Sequence, residues 1–334
     1  MQRKYLHLIG LLALAASCSG NGDSLEMGYF VSYRNPVAQL NIPDPSLVKA
    51  DGSWLVFASE TDASVVPTYI SSDLLSWTEV DPVFDDETRP TFIRNAKVES
   101  PEIVSLGDGS YLLYYTLKAK ADSSGIGVAT ATAVSGPWTD HGEVIRKKDV
   151  GVNNIEHPSF IQDDGVNYLV FGGGKGIYVA RLSADGLTLD KTSSLTRIAG
   201  DEVDAPSIVK HGAYYYLIAS AGTTTGGASC PCLTVMGRSD NLFGPYLNKA
   251  GESMMDGKYD ILIEHSTKFR GPGHVSQLTT DDDGNIWLLY NSYDLTSVSS
   301  GRTLMLDKVT WESDWPEIRG AVGSFCANVP VVNQ

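Results

Sequence analysis

Residues 41–60 read NIPDPSLVKADGSWLVFASE. An acid before a proline, Asp44-Pro45, leads into a short apolar run at 46–48. A polar turn at 50–52 follows, then a second run at 54–58. Two β-rich runs joined by an Asp-Gly turn predict a β-hairpin.

The same hairpin is written four more times. VESPEIVSLGDGSYLLYYT starts at Val98, IEHPSFIQDDGVNYLVFGG at Ile155, VDAPSIVKHGAYYYLIAS at Val203 and GPGHVSQLTTDDDGNIWLLYNS at Gly271. Pro101, Pro158 and Pro206 repeat the place of Pro45, and His274 precedes the strand of the last copy. The start points lie roughly 50 to 65 residues apart, the self-similarity of a repeat architecture. Several copies carry a matching second half: SSDLLSW at 71–77, Gly136-Pro137-Trp138 after 126–129, and Gly244-Pro245-Tyr246 after 235–239. Each repeat therefore predicts about four short strands. Such units around an axis make an all-β, five-bladed propeller with four-stranded blades around a central channel. The expected blades are 37–92, 93–147, 148–200, 201–262 and 263–318, and the tail at 322–334 is expected to help close the ring.

The 334 residues carry a formal net charge of −15, which argues against nucleic acid as a partner. With 42 % hydrophobic and 19 % charged residues the composition is globular. The Gly172-Gly173-Gly174-Lys175 run is no phosphate loop, because Gly176 follows the lysine and a strand pattern follows that. No sustained helical periodicity marks a membrane-binding helix.

At the N-terminus, Arg3-Lys4 precedes an apolar stretch at 6–16, too short to span a bilayer. It ends in Leu14-Ala15-Ala16-Ser17-Cys18, which resembles a bacterial lipoprotein signal. The expectation is a signal peptide over 1–18, a polar tether over 19–27 and a propeller domain over 28–334. The mature chain is then exported, as a monomer held to a membrane only through a lipid on Cys18, in the periplasm or at the cell surface. Cys230, Cys232 and Cys326 remain, an odd number, either with one pair bridged or as three free thiols. Cys230-Pro231-Cys232 lacks the further ligands of a zinc site.

The start of each repeat's first strand lies near the propeller axis. Residues around the repeated prolines therefore converge at one channel mouth: Asp44, Glu99, Glu102, Glu156, His157, Asp204 and His274. An acidic cluster there suggests sugar cleavage, which needs one carboxyl held ionised and another held protonated. Acids before prolines also simply start turns.

These residues and repeats resemble glycoside hydrolase family 43, five-bladed propellers that hydrolyse arabinose- and xylose-containing polysaccharides with inversion. The resemblance covers about 41–318. Asp44 in Ile42-Pro43-Asp44-Pro45 matches the family's general-base aspartate, and SSDLLSW matches its "SxDLxxW" element. Ser220-Ala221-Gly222, Gly271-Pro272-Gly273-His274 and LMLDKVTWESDWP at 304–316 look most like the arabinanase branch. There the equivalent of His274 lies under the active site, often near calcium.

Three motifs depart from the family pattern. The acid is an aspartate, Asp204 in Val203-Asp204-Ala205-Pro206, where the family has glutamate. A carboxyl set back by one methylene can cost about a hundredfold in rate. The pKa-modulating aspartate of "IDP" faces Ile155-Glu156-His157-Pro158, so either Glu156 or His157 replaces it. Glu156 is the preferred match, because Ile155 then aligns. The "WAP" of the second blade is Ser100-Pro101 after Glu99, and Glu99 is a second candidate acid.

The resemblance thus implies a glycosidase acting on pentose-rich carbohydrate, with Asp44 as base, Asp204 as acid and Glu156 as tuner. The two catalytic carboxyls should stand roughly 6.5–9.5 Å apart if the enzyme inverts. Glu99, Glu102, His157 and Trp54 are the expected substrate contacts. No cofactor is required, and a structural calcium near His274 is possible in the family pattern. The alternatives are a propeller that binds glycan without cleaving it and a related propeller acting on fructans or mannosides.

Overall fold

The structure, a computed structural model, describes residues 31–119 and 124–333. The expected signal peptide, tether and Cys18 lie outside the described residues.

Five four-stranded antiparallel sheets follow one another along the chain, a fifth strand joining the last. Their innermost strands are Ser46–Ala50, Lys97–Ser105, Ser159–Asp163, Val203–His211 and Phe269–Gly273, with Thr279–Thr280 continuing the fifth. Their outermost strands are Thr78–Val80, Thr139–Arg146, Thr196–Ala199, Asp260–Ile263 and Trp315–Ile318. The five-bladed propeller and its blade limits agree with the repeat pattern.

The apolar runs follow from burial on both faces. In Tyr111–Lys118, Leu113 and Tyr115 turn towards the first blade, and Leu112 and Tyr114 towards the third. Five hydrophobic clusters fill the five blade interfaces in this way. The Asp51-Gly52 hairpin has φ of 50° and 77°, which its two-residue turn requires.

Ring closure differs in detail from the expectation. The tail strand Cys326–Asn328 pairs with Ser32–Arg34, a small sheet separate from the blades. The Ser32–Arg34 segment is tied to the fifth blade: Tyr33 Oη donates to the Leu306 carbonyl at 2.5 Å, and the Asn35 amide brackets the Leu306 backbone with two 2.9 Å bonds.

One layer near the axis positions the site. Asp44, Ser100, His157, Ala205 and His274 all have φ between 48° and 55°, a left-handed conformation that costs non-glycine residues energy. Each sends its backbone N–H to the second strand of the preceding blade, or to one of the two residues after it. The acceptors are Asn291 Oδ1, Ser59 Oγ, Thr116 Oγ1, the Gly172 carbonyl and Ser220 Oγ. A kink of the same form thus recurs five times, and each turns a residue towards the axis.

Candidate active site

Asp44 is the first of these five kinks. Its carboxyl group is 12 % exposed. Oδ1 accepts from Arg302 Nη1 and lies 3.0 Å from His274 Nδ1, while Oδ2 accepts from Ser59 Oγ at 2.6 Å. Burial alone would raise its proton affinity. The His274 and Arg302 contacts, with His157 behind, outweigh it and hold Asp44 well below the usual carboxylate range.

Asp204 has the opposite environment. It sits one residue before the fourth kink, bridged to Gly173 of the third blade. Its Oδ1 is buried with no partner. Burial raises its pKa to about 6, His274 and Arg302 act against the rise, and Asp44 and Glu156 add to it. Asp44 therefore stays ionised well into acid while Asp204 keeps its proton up to about pH 6, the division of labour that acid–base cleavage of a glycosidic bond demands.

Counted from the prolines, His157 is the positional equivalent of Asp44, and Glu156 that of Asp204. Glu156 is buried, and its Oε2 accepts from Lys118 Nζ at 2.6 Å. The same oxygen would stand 3.0 Å from a Cβ on Gly173, so the glycine lets the Glu156 carboxylate lie close against the segment bridged to Asp204. Glu99 is half-buried. Burial raises its proton affinity, Lys118 lowers it, and Asp44 and Glu156 add to the rise.

Two expected substrate contacts lie elsewhere. Trp54 is fully buried in the cluster between the first and fifth blades, with Nε1 donating to Thr279 Oγ1, so it offers no face to a sugar. Alternation along its strand turns it into the interface rather than to the mouth. Glu102 lies one layer below the kinks, beside Ser46, Ser159, Ser207 and Ser276 at the equivalent positions. It accepts from Ser46 Oγ, the Phe160 N–H and Gln277 Nε2 at 3.0, 3.0 and 2.6 Å. It is a crosspiece of the channel, and burial raises its pKa to about 7 against those three hydrogen bonds.

His157 and His274 meet on the axis. Their rings lie 4.7 Å apart edge to face, His157 Nδ1 stands 3.1 Å from His274 Nε2, and Ser100 Oγ lies 2.7 Å from the first and 3.4 Å from the second. Burial foremost, then His274, keeps His157 neutral, its pKa well below the ordinary imidazole value. These residues do not fit the calcium suggested beside His274. Calcium takes six to eight oxygens, whereas this cluster offers two imidazoles, one hydroxyl and a carboxylate already held by Arg302 and Ser59. Among the described residues no three His, Cys, Asp or Glu side chains converge on a cation position.

Arg302, Lys118, Ser59 and Ser100 are site residues that motif reading passed over. Arg302 is 9 % exposed, and its Nε and Nη2 have no protein partner. Cys230 and Cys232 are free and buried against Gly271 and Gly273, where a Cβ would strike each sulfur. Burial pushes the Cys232 thiol up to about 12, which suits a packing role. Cys326 is free and exposed.

Comparison with known proteins gives the family. The chain is 31 % identical over 289 residues to an extracellular endo-α-(1→5)-L-arabinanase of Bacillus subtilis, spanning 82 % of this chain and 86 % of that one. It is 26 % identical to an extracellular exo-α-(1→5)-L-arabinofuranosidase of Cellvibrio japonicus, over 95 % and 94 % of the two chains. The solved α-L-arabinanase of Cellvibrio cellulosa complexed with arabinohexaose superposes with a TM-score of 0.76 at 25 % identity, over 86 % of this chain and 99 % of that one. The family profile described as glycosyl hydrolases family 43 matches residues 33–316. With the propeller and its paired carboxyls in view, the chain belongs to glycosyl hydrolases family 43 and is a glycosidase.

Proposed function

We propose that this glycosidase hydrolyses α-L-arabinofuranosyl linkages of arabinan or arabinose-bearing oligosaccharides with inversion. Asp44 takes a proton from the attacking water, and Asp204 gives one to the leaving oxygen. Glu156 adds negative charge beside Asp204 and favours its protonated form. The observation that carries this reading is the opposite proton affinity of Asp44 and Asp204 at one channel mouth. Arg302 keeps Asp44 ionised through its Nη1 contact.

The arabinan-active relatives support the substrate class. The signal-like N-terminus and the printed extracellular location of both relatives support export, with Cys18 as a lipid-anchor position. A glycan-binding protein without turnover is the second reading, favoured by the shorter acid side chain. Sugar release from linear arabinan, arabinoxylan and aryl pentosides, beside Asp44→Asn and Asp204→Ala, separates the two. Release that vanishes in both variants, with the opposite anomer seen first by NMR, is the expected result. Binding without release would establish the second reading.

A further inference from the structure

His274 lies beneath the base, and its two ring nitrogens have different tasks. Nδ1 stands 3.0 Å from the ionised Asp44 Oδ1, aligned too poorly for an ideal hydrogen bond yet nearest to that oxygen. A bare nitrogen there would oppose its lone pair to the carboxylate, so Nδ1 carries the proton. Nε2 is the other ring nitrogen, and only through its electron pair could His274 bind a metal.

That pair is covered. His157 Nδ1 is 3.1 Å away, and Ser100 Oγ is 3.4 Å away. The two also face each other at 2.7 Å. Whichever donates to Nε2, a proton occupies the metal-binding direction. His157 is fixed there: its left-handed backbone is held by Thr116 Oγ1 at 3.0 Å, and Pro158 follows. The remaining space in the layer is a cavity of about 30 Å³, bordered by Asp44, Ser100, Glu102, His157 and His274. That is room for a water molecule or two, not for a cation with its shell. The Arg302 guanidinium on Asp44 adds positive charge that a divalent ion would have to face.

We infer that His157 takes the place of a cation beneath the base: it positions His274 against Asp44 through a direct imidazole contact and makes the site independent of divalent metal. A carboxylate at the same kink would reverse this, by supplying oxygens in place of the imidazole. His157 is here a positioning residue, acting on the base through His274.

The test uses the purified mature chain, treated with EDTA and dialysed, then titrated with CaCl2 by calorimetry and by thermal melting. Saturable heat and a Tm that rises with calcium are expected to be lacking in the native chain and present in His157→Asp. His157→Asn, whose amide can reproduce the Nδ1 donor, should behave as the native chain does. If His157→Asp does not fold, His157→Glu supplies a carboxylate at the same kink and carries the same comparison. One saturable calcium site in the native chain that disappears in His274→Ala would overturn the inference. So would a folded His157→Asp that binds no calcium. None of these readouts depends on turnover, so failure here is distinct from failure of the arabinan reading.

Discussion

Arg302 donates through Nη1 to Asp44 Oδ1 from a position 9 % exposed, the residue just before the Thr303–Glu312 strand of the fifth repeat reaching the kink of the first. Arg302→Met removes the guanidinium and leaves a buried carboxylate short of its main cation. The acid limb of kcat/KM should then move up by about 1–3 pH units. Stability at neutral pH should fall by about 3–5 kcal/mol, as when one member of a buried pair is deleted. Asp44 has a depressed folded pKa, so this stability is present above the unfolded carboxylate range and is lost as the pH falls through the folded value. Denaturant melts at pH 7 and at a series of values below 3.8 check this: native and variant should converge as the pH falls through the folded value. Arg302→Lys should fall between them, keeping the charge without the planar fork.

Asp204 must carry its proton to act as acid, and its pKa is raised to about 6. The kcat/KM of the native chain should therefore decline above pH ~6. Asp204→Asn should lose about 10²- to 10⁴-fold on arabinan, the usual contribution of general acid catalysis. Its loss should be least on an aryl arabinofuranoside with a good leaving group, which needs little protonation. Equal losses on both substrates would remove Asp204 from the role of acid. Asp204→Glu should keep the declining limb.

Glu102 is buried with a pKa of about 7, raised from 4.5. Below pH ~4.5 it is protonated folded or unfolded and does not affect the balance. As the pH rises from there to about 7, the unfolded chain ionises more readily and folding is penalised, by at most about 3 kcal/mol. Glu102→Gln should therefore be more stable than the native chain at pH 8 and equal to it at pH 4. A single amide oxygen can accept from Phe160 N–H and Gln277 Nε2, which already share Oε1. Urea melts at the two pH values read the difference directly.

Trp54 is completely buried between the first and fifth blades. Trp54→Ala should cost about 3–5 kcal/mol through cavity formation and lost transfer free energy. In the folded fraction KM should be unchanged, whereas loss of a sugar-stacking platform would raise it.

The blades were legible because every interface buries both faces of its strands, which forces apolar runs such as YLLYYT and YYYLIAS after glycine-bearing turns. The ring positions were legible for a related reason: in four of the five repeats a proline follows the kinked residue, and His274, followed by Val275, takes the same place in the fifth. That placed Asp44, Asp204, Glu156, His157 and His274 at one centre. Arg302 and Lys118 were not legible. They stand at the ends of second and third strands, where no repeated motif marks them, and their partners come from neighbouring blades. Trp54 shows the same limit from the other side, since an aromatic residue on a strand does not declare which face it occupies. The pairing of Cys326–Asn328 with Ser32–Arg34 depends on where two chain ends meet.

Lys118 holds Glu156 at 2.6 Å from a side chain 38 % exposed, and it opposes the rise in Glu99. Lys118→Met should leave three carboxyls, Glu99, Glu156 and Asp204, sharing the mouth without that cation. Each then holds its proton more tightly, so the alkaline limb of kcat/KM should move to higher pH by less than about one unit, given solvent screening at a half-exposed ammonium. Added salt should shrink the shift, because the lost interaction reaches water. Lys118→Arg should restore the native profile. A limb that stays in place while kcat falls would mean that Lys118 acts on substrate position and not on the proton of Asp204.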